Sequence, residues 1–290
     1  MKPVRVCHRL FCFCLVTAFG YLLLLAGNLA LFFSKNLRIR WRHLMVAAWA
    51  KLIVKILGVQ INIKGQPPPP PFFLVSNHLS YIDIIVFFTQ VRCIFVAKAE
   101  VKSWRLLGVL AKSAGTLFIN RNDKKDIPRV NALIERAIRD SGGVIVFPEG
   151  TSTNGSEVLP FKSPLLEYAA RGGFPVSLAT IHYRTAPADP PAHLSVCWWG
   201  SMKFGGHFFD LLKLSKIDTT IEFCPTTVKG HNRKSIAQEL WNLTNKQFVP
   251  TSVSEVRLAQ RDFANFEVSS CASRTSLVTW RTHARDSTHS

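Results

Sequence analysis

The chain is short of acidic residues. Asp and Glu total 18 against 36 Lys and Arg, a formal charge of +18 over 290 residues. The last forty residues hold five basic and four acidic side chains, so +17 resides in residues 1–250. A surface this basic suits nucleic acid or an anionic membrane. Zinc-finger spacing, an RNA-recognition signature and a basic helix with heptads are all missing, which makes nucleic acid the poorer partner. No C-x-x-C occurs among the seven cysteines, and their uneven spacing excludes a disulfide framework. Reduced thiols in a cytosol-facing domain are the expectation. No metal-ligand set is suggested; His182 and His193 read as ordinary loop or core residues. There is no G-x-S-x-G elbow to present a nucleophilic serine, and no internal repeat.

One absence marks a feature. Leu10 to Phe33 carries no charge over twenty-four residues, long enough to cross a bilayer as a helix. No small-x-small cleavage site follows, which argues against a signal peptide. Lys2, Arg5 and Arg9 precede the run; Lys35, Arg38, Arg40 and Arg42 follow it. The richer downstream flank favours a cytoplasmic membrane protein with its main domain in the cytosol, although a deeply inserted, non-spanning helix fits as well. Leu44 to Val59 is apolar except for Lys51, Lys55 and Gly58. It reads either as an interfacial helix with its lysines toward lipid headgroups or as a core-packed helix.

From there the pattern alternates. Gln60–Lys64 reads as a strand, and Pro67–Pro71 as a stiff spacer. Strands are expected at 72–75, 94–96, 116–119, 144–147, 176–181, 194–198 and 220–223. Helices are expected at 83–88, 103–113, 127–139 with Asp126 as cap, 164–171 and 233–248. Strands alternating with helices imply an α/β fold. The expected division is an N-terminal membrane anchor and interfacial helix over 1–66, a catalytic domain over 67–250, and a mobile tail over 251–290.

The chemistry centres on Asn77-His78-Leu79-Ser80-Tyr81-Ile82-Asp83, which follows the apolar run Phe72–Val75. His78 can take and return a proton near neutral pH. Asp83, about one helical turn on, is placed to fix the imidazole tautomer and stabilise the imidazolium. Alone, the pair also fits a capping Asn or Ser beside a core histidine. Ser80 leaves a Ser–His nucleophile as the rival arrangement. Far downstream, Phe147-Pro148-Glu149-Gly150-Thr151 again follows a strand-like run.

N-H-x-x-x-x-D followed by F-P-E-G-T resembles the glycerolipid acyltransferase family, whose best-known members are 1-acyl-glycerol-3-phosphate acyltransferases. Gly115–Arg121 resembles that family's second motif and Phe174-Pro175-Val176 its fourth, all four in the family's order across 72–180. The resemblance implies a mixed sheet flanked by helices, glycerol-3-phosphate acyltransferase-like, behind an N-terminal membrane helix. It implies a fatty acyl chain moved from acyl-CoA or acyl-carrier protein to the free hydroxyl of 1-acyl-sn-glycerol-3-phosphate, with no further cofactor and no metal.

In that scheme His78 is the base and Asp83 its orienting partner. Arg121 grips the acceptor phosphate, since a guanidinium forks onto phosphate oxygens. Gly150 lets backbone N–H groups approach an anion, and Thr151 adds a donor. Glu149 bonds glycerol hydroxyls or steadies Arg121. Lys98 matches a family segment near the acyl-chain entrance, and Lys162 is placed to meet an anionic donor or headgroup. Asn120 departs from the Asp common among relatives, which puts the acceptor headgroup in doubt. Thr151–Gly155 with Leu159–Lys162 resembles lyso-ornithine lipid acyltransferases, so lyso-ornithine lipid or another lysolipid is the alternative acceptor. A non-catalytic lipid-binding protein is the reading from another class.

Overall fold

A computed structural model describes residues 2–120, 123 and 125–251. Arg121 and residues 252–290, which include nearly all of the expected tail, lie outside the described residues. In chain order the elements are α1 (Lys2–Ala30), α2 (Lys35–Leu57), β1 (Val59–Lys64), β2 (Phe72–Ser76), α3 (Ile82–Gln90), β3 (Ile94–Lys98), α4 (Arg105–Ser113), β4 (Leu117–Ile119), α5 (Asp126–Ser141), β5 (Gly143–Val146), α6 (Glu167–Gly172), β6 (Val176–Thr185), α7 (Ala192–Ser195), α8 (Phe204–Lys213), β7 (Ile217–Phe223) and α9 (Arg233–Gln247).

The seven strands form one mixed sheet in the order β1-β7-β6-β2-β5-β3-β4. Strands β6, β2, β5, β3 and β4 run parallel, and β7 reverses direction against β6. Successive side chains point to opposite faces, and β2 shows the consequence. Phe72 and Leu74 enter a core with α2, α3 and α8, whereas Phe73 and Val75 enter a second core with α5, α6 and α9. Burial on both faces explains why β2 and β5 read as unbroken apolar runs.

Two expectations fail locally. Residues 194–198, expected as a strand, begin inside the short α7 and continue as irregular chain. Trp198 there donates its backbone N–H to Leu79 O (2.8 Å), packing the segment beside the His78 loop instead of into the sheet. Asp126 is the first residue of α5, not its cap; its carboxylate accepts from Asn120 N (2.7 Å) and Arg129, linking the end of β4 to the start of α5. The expected division at 66 also leaves β1 outside the domain whose sheet it joins, since β1 pairs with β7 along its whole length.

α1 is long and apolar enough to cross a membrane, by length and composition. It does not stand apart from the body. Arg9 Nη1 donates to Leu212 O (3.3 Å) and Leu214 O (2.6 Å), and Arg5 Nη1 to Lys213 O (3.0 Å). Two arginines of α1 thus satisfy terminal carbonyls of α8, which have no partner within that helix. Trp49 Nε1 bonds Thr17 Oγ1 (3.1 Å), joining α2 to α1. On the outer side Phe11, Leu15, Phe19, Leu22 and Leu29 are exposed at helical spacing, and Phe32 and Phe33 stand bare at the following turn. An apolar stripe of this extent marks a surface meant for something other than water. The second half of α2 buries Ala50, Ile53, Val54 and Leu57, while Lys51 and Lys55 face outward.

Candidate active site

Parallel strands deliver their carboxyl ends to one edge, and the motif residues stand there. Asn77 follows β2. Its side chain donates to Ile181 O (3.0 Å) and accepts from Ile181 N (2.8 Å), bridging the gap where β2 and β6 diverge. The next residue, His78, is thereby set at the sheet edge. Its ring stacks on Phe147, with centroids 4.1 Å apart and 10° between planes.

Asp83 lies in the first turn of α3 and is completely buried. Its Oδ2 is 2.7 Å from His78 Nδ1 and accepts from Leu79 N (2.8 Å) and Ser80 N (3.1 Å). Its Oδ1 accepts from the Tyr183 hydroxyl (2.7 Å). Four donors thus converge on the two oxygens. A carboxylate accepts only, so the proton of neutral His78 sits on Nδ1 and Nε2 carries the lone pair. The imidazole side chain is 19% exposed, against none for Asp83. That arrangement can remove a proton from a hydroxyl at the open side.

Glu149 is 1% exposed. Oε1 accepts from His78 N (2.7 Å) and Oε2 from Leu159 N (2.9 Å). Burial pushes its carboxyl up to about 7, against the lowering pull of those two bonds and with a smaller raising push from the Asp83 charge. Glu149 ties the 147–151 turn to the His78 loop and to residue 159. Gly150 closes the turn at φ 78, donating its N–H to Phe147 O (3.1 Å), a conformation that L side chains rarely adopt. Thr151 is exposed at the rim, and Thr153 N reaches His78 O (2.9 Å). Lys162 N bonds Pro148 O (2.9 Å), so it anchors the same turn through its backbone. Lys98 stands exposed at the end of β3, beside β5 on the same sheet edge. Arg121 lies outside the described residues.

Ser80 does not serve the rival arrangement. It is fully buried, its Oγ has no hydrogen-bond partner, and His78 Nδ1 is taken by Asp83.

Three contributors escaped the reading of the sequence. Tyr183 is a hundred residues from Asp83, and no local spacing announces its hydroxyl; burial and the adjacent carboxylate push its phenol well up. Asn77 reads as a cap but acts as a strand clamp. The third is an aromatic wall beside the site, in which Tyr81 meets Trp198 (5.8 Å) and Phe204 (5.0 Å), and Trp198 meets Trp104 (5.9 Å). The Tyr81 hydroxyl pairs with His207 Nδ1 (3.0 Å), and burial raises its phenol pKa as well.

Residues 60–182 match a family model described as acyltransferase. A lyso-ornithine lipid O-acyltransferase of Rhodobacter capsulatus is 32% identical over 180 residues, covering 61% of this chain and 64% of that protein. A 1-acyl-sn-glycerol-3-phosphate acyltransferase of Neisseria gonorrhoeae is 32% identical over 150 residues, 49% of this chain and 59% of that protein. Over that stretch the chain is similar to the glycerolipid acyltransferases. Its acyltransferase match holds His78, Asp83, Glu149 and Gly150 and ends one residue before Tyr183. The match to each of these two relatives spans less than two thirds of the relative's length. The crystal structure of the 1-acyl-sn-glycerophosphate acyltransferase PlsC from Thermotoga maritima shares the fold, with a TM-score of 0.58 at 17% identity, over 85% of this chain and 98% of that one.

Proposed function

We propose that this chain is a membrane-associated lysolipid O-acyltransferase that transfers an acyl group from a thioester of CoA or acyl-carrier protein. One observation carries the reading: His78, its side chain 19% exposed, is held through Nδ1 by a buried carboxylate, which leaves Nε2 for the acceptor. The acceptor hydroxyl gives its proton to Nε2 as its oxygen attacks the thioester carbonyl. The C–O bond forms, the tetrahedral intermediate collapses, and the C–S bond breaks. The imidazolium returns the proton to the leaving sulfur, giving an ester and a free thiol. No covalent acyl-enzyme is required.

The first acceptor proposed is 1-acyl-sn-glycerol-3-phosphate, with phosphatidic acid as product, and Arg121 as the phosphate grip. A second acceptor, lyso-ornithine lipid, is favoured by the 180-residue similarity to the Rhodobacter capsulatus protein and by Asn120 beside Arg121. The stripe along α1 and the bare Phe32–Phe33 turn suit insertion into a lipid layer, with the catalytic edge facing the cytosol. Both flanks of α1 are fastened to the α/β body, Arg9 to the end of α8 and Lys35 to Asp140 on α5 (2.6 Å), which supports a helix lying in one leaflet rather than one leaving the body to span the bilayer.

The deciding assay offers purified protein labelled acyl-CoA and acyl-carrier protein with both acceptors. Thiol release matched by ester formation on one acceptor is the expected result. Equal inertness of the wild type and His78→Ala toward every acceptor would favour a non-catalytic lipid-binding protein.

A further inference from the structure

A basic cavity lies at the opposite end of the sheet from His78. It encloses about 560 Å³ between α2, the end of α4 and α5, over the starts of β3 and β4 at Ile94 and Leu117. His78 and Glu149 follow the carboxyl ends of β2 and β5; this cavity opens where the neighbouring parallel strands begin.

Its walls are strongly basic. Lys35, Arg38 and Arg42 project into it from α2 at spacings of three and four, successive turns of one helix face. Lys112 joins from α4 and Arg136 from α5. Among the described residues the one acid lining it is Asp140, shared by Lys35 (2.6 Å) and Arg136 (3.4 Å). Arg38, Arg42 and Lys112 have no acidic partner among the described residues. Arg42 is partly buried, and its Nε has neither water access nor a hydrogen-bond partner. Its guanidinium lies where a Cβ on Gly115 would come within 2.7 Å of Cζ, so the glycine at φ +86 admits it. The first turn of α2 contains no acid, so Lys35 and Arg38 add positive charge to the positive end of the helix dipole. The buried, unpartnered Nε of Arg42, with like charges around it, suits an anion.

The surroundings identify the anion's carrier. Leu29, Phe32 and Phe33 stand exposed directly before Lys35. A headgroup phosphate in the cavity would leave its acyl chains beside that apolar turn. The floor itself is apolar at Ile94, Leu117, Leu133 and Ala137, suited to a glycerol backbone more than to a hydrated free ion.

We infer that this cavity is a second lipid site, which holds the phosphate of an anionic membrane phospholipid and fixes the α1–α2 hairpin at headgroup depth. It goes beyond the acyl-transfer reading and stands without it.

The test titrates detergent-solubilised full-length His78→Ala protein with dihexanoyl-phosphatidylglycerol, dihexanoyl-phosphatidylcholine and inorganic phosphate at constant ionic strength, following the melting temperature. Phosphatidylglycerol is expected to raise it saturably, and the other two are not. Arg38→Gln with Lys112→Gln, both exposed and on different helices, should weaken the apparent affinity by about tenfold or more. Lys229→Gln with Lys234→Gln, an equal charge change near α9, should leave it unchanged. Equal weakening in both pairs would reduce the effect to general surface charge and overturn the site. So would a flat wild-type titration. The same saturable shift with inorganic phosphate would overturn the lipid assignment. Arg42→Gln serves as a second probe, read by the same titration.

Discussion

His78 Nδ1 and Asp83 Oδ2 lie 2.7 Å apart across five residues, and that same Asp83 oxygen takes the backbone N–H groups of Leu79 and Ser80. The contact is therefore part of the backbone turn that opens α3, not a chance meeting of side chains. Replacing His78 with Ala should lower acyl transfer by at least about 10²–10⁴-fold, the usual contribution of a positioned base, with the melting temperature nearly unchanged. Asp83→Asn should be as severe and should also destabilise, because an amide cannot accept from all four donors. Thiol release in single-turnover assays, beside thermal melts, checks both. Near-normal turnover by His78→Ala ends the mechanism.

Tyr183→Phe separates orientation from proton transfer. The hydroxyl is fully buried and, among the described residues, bonds Asp83 Oδ1 alone. Its loss should cost about 1.5–3 kcal/mol, the range for hydrogen bonds to charged groups. The turnover number should fall while the acceptor KM holds, since Tyr183 acts through Asp83 and not on the lipid. A rise in KM alone would contradict that role.

Glu149 predicts a pH signature in stability. Its folded carboxyl is raised from 4.5 to about 7, chiefly by burial. A carboxyl raised on folding holds its proton in the native state while the unfolded chain has lost it. Its contribution is therefore full below about 4.5, declines as pH rises to about 7, and is flat above. Over that window the wild type should lose about 3 kcal/mol relative to Glu149→Gln. Denaturant melts of both proteins at several pH values measure the difference. A constant gap between the two would show that Glu149 is ionised throughout.

Arg121→Ala rests on sequence reasoning. It should raise the KM for a phosphate-bearing acceptor, leaving the donor KM within about twofold, since a guanidinium–phosphate fork adds ground-state binding. Unchanged acceptor saturation would remove Arg121 from the phosphate site.

The sheet was legible because its central strands are buried on both faces. Phe72–Val75 and Val144–Val146 carry no polar residue, and turn residues bound them. His78 and Asp83 were legible because both belong to one turn of chain. Tyr183 and Asn77 were not, because their partners lie about a hundred residues away, at Asp83 and Ile181. Glu149 was recognised as part of the site, but its role depends on which backbone donors surround it, and those come from residues 78 and 159. The strand expected at 194–198 failed for a related reason. Val196 and Cys197 are buried in the core without joining the sheet and Trp198 packs on Tyr81, and apolar content alone does not tell a strand from a buried irregular segment.

Membrane attachment gives the last prediction. Removing residues 1–33 is a poor test, because it also strips the arginines from the end of α8 and Thr17 from Trp49. Substituting the exposed stripe leaves those bonds in place. Leu15→Asn, Phe19→Asn and Leu22→Asn together change only outward side chains. Each apolar group of this size is worth about 1.5–3 kcal/mol when fully transferred from water, so the triple variant should partition into neutral vesicles far more weakly than the wild type. Binding to anionic vesicles should persist at low salt through the basic surface, at about 1 kcal/mol per Lys or Arg near the lipid, and vanish as salt shortens the Debye length. The wild type should resist salt and require detergent. Flotation of both proteins with neutral and anionic vesicles at two salt concentrations separates the contributions. A triple variant that still floats with neutral vesicles at high salt would show that α1 is not what holds this protein to the bilayer.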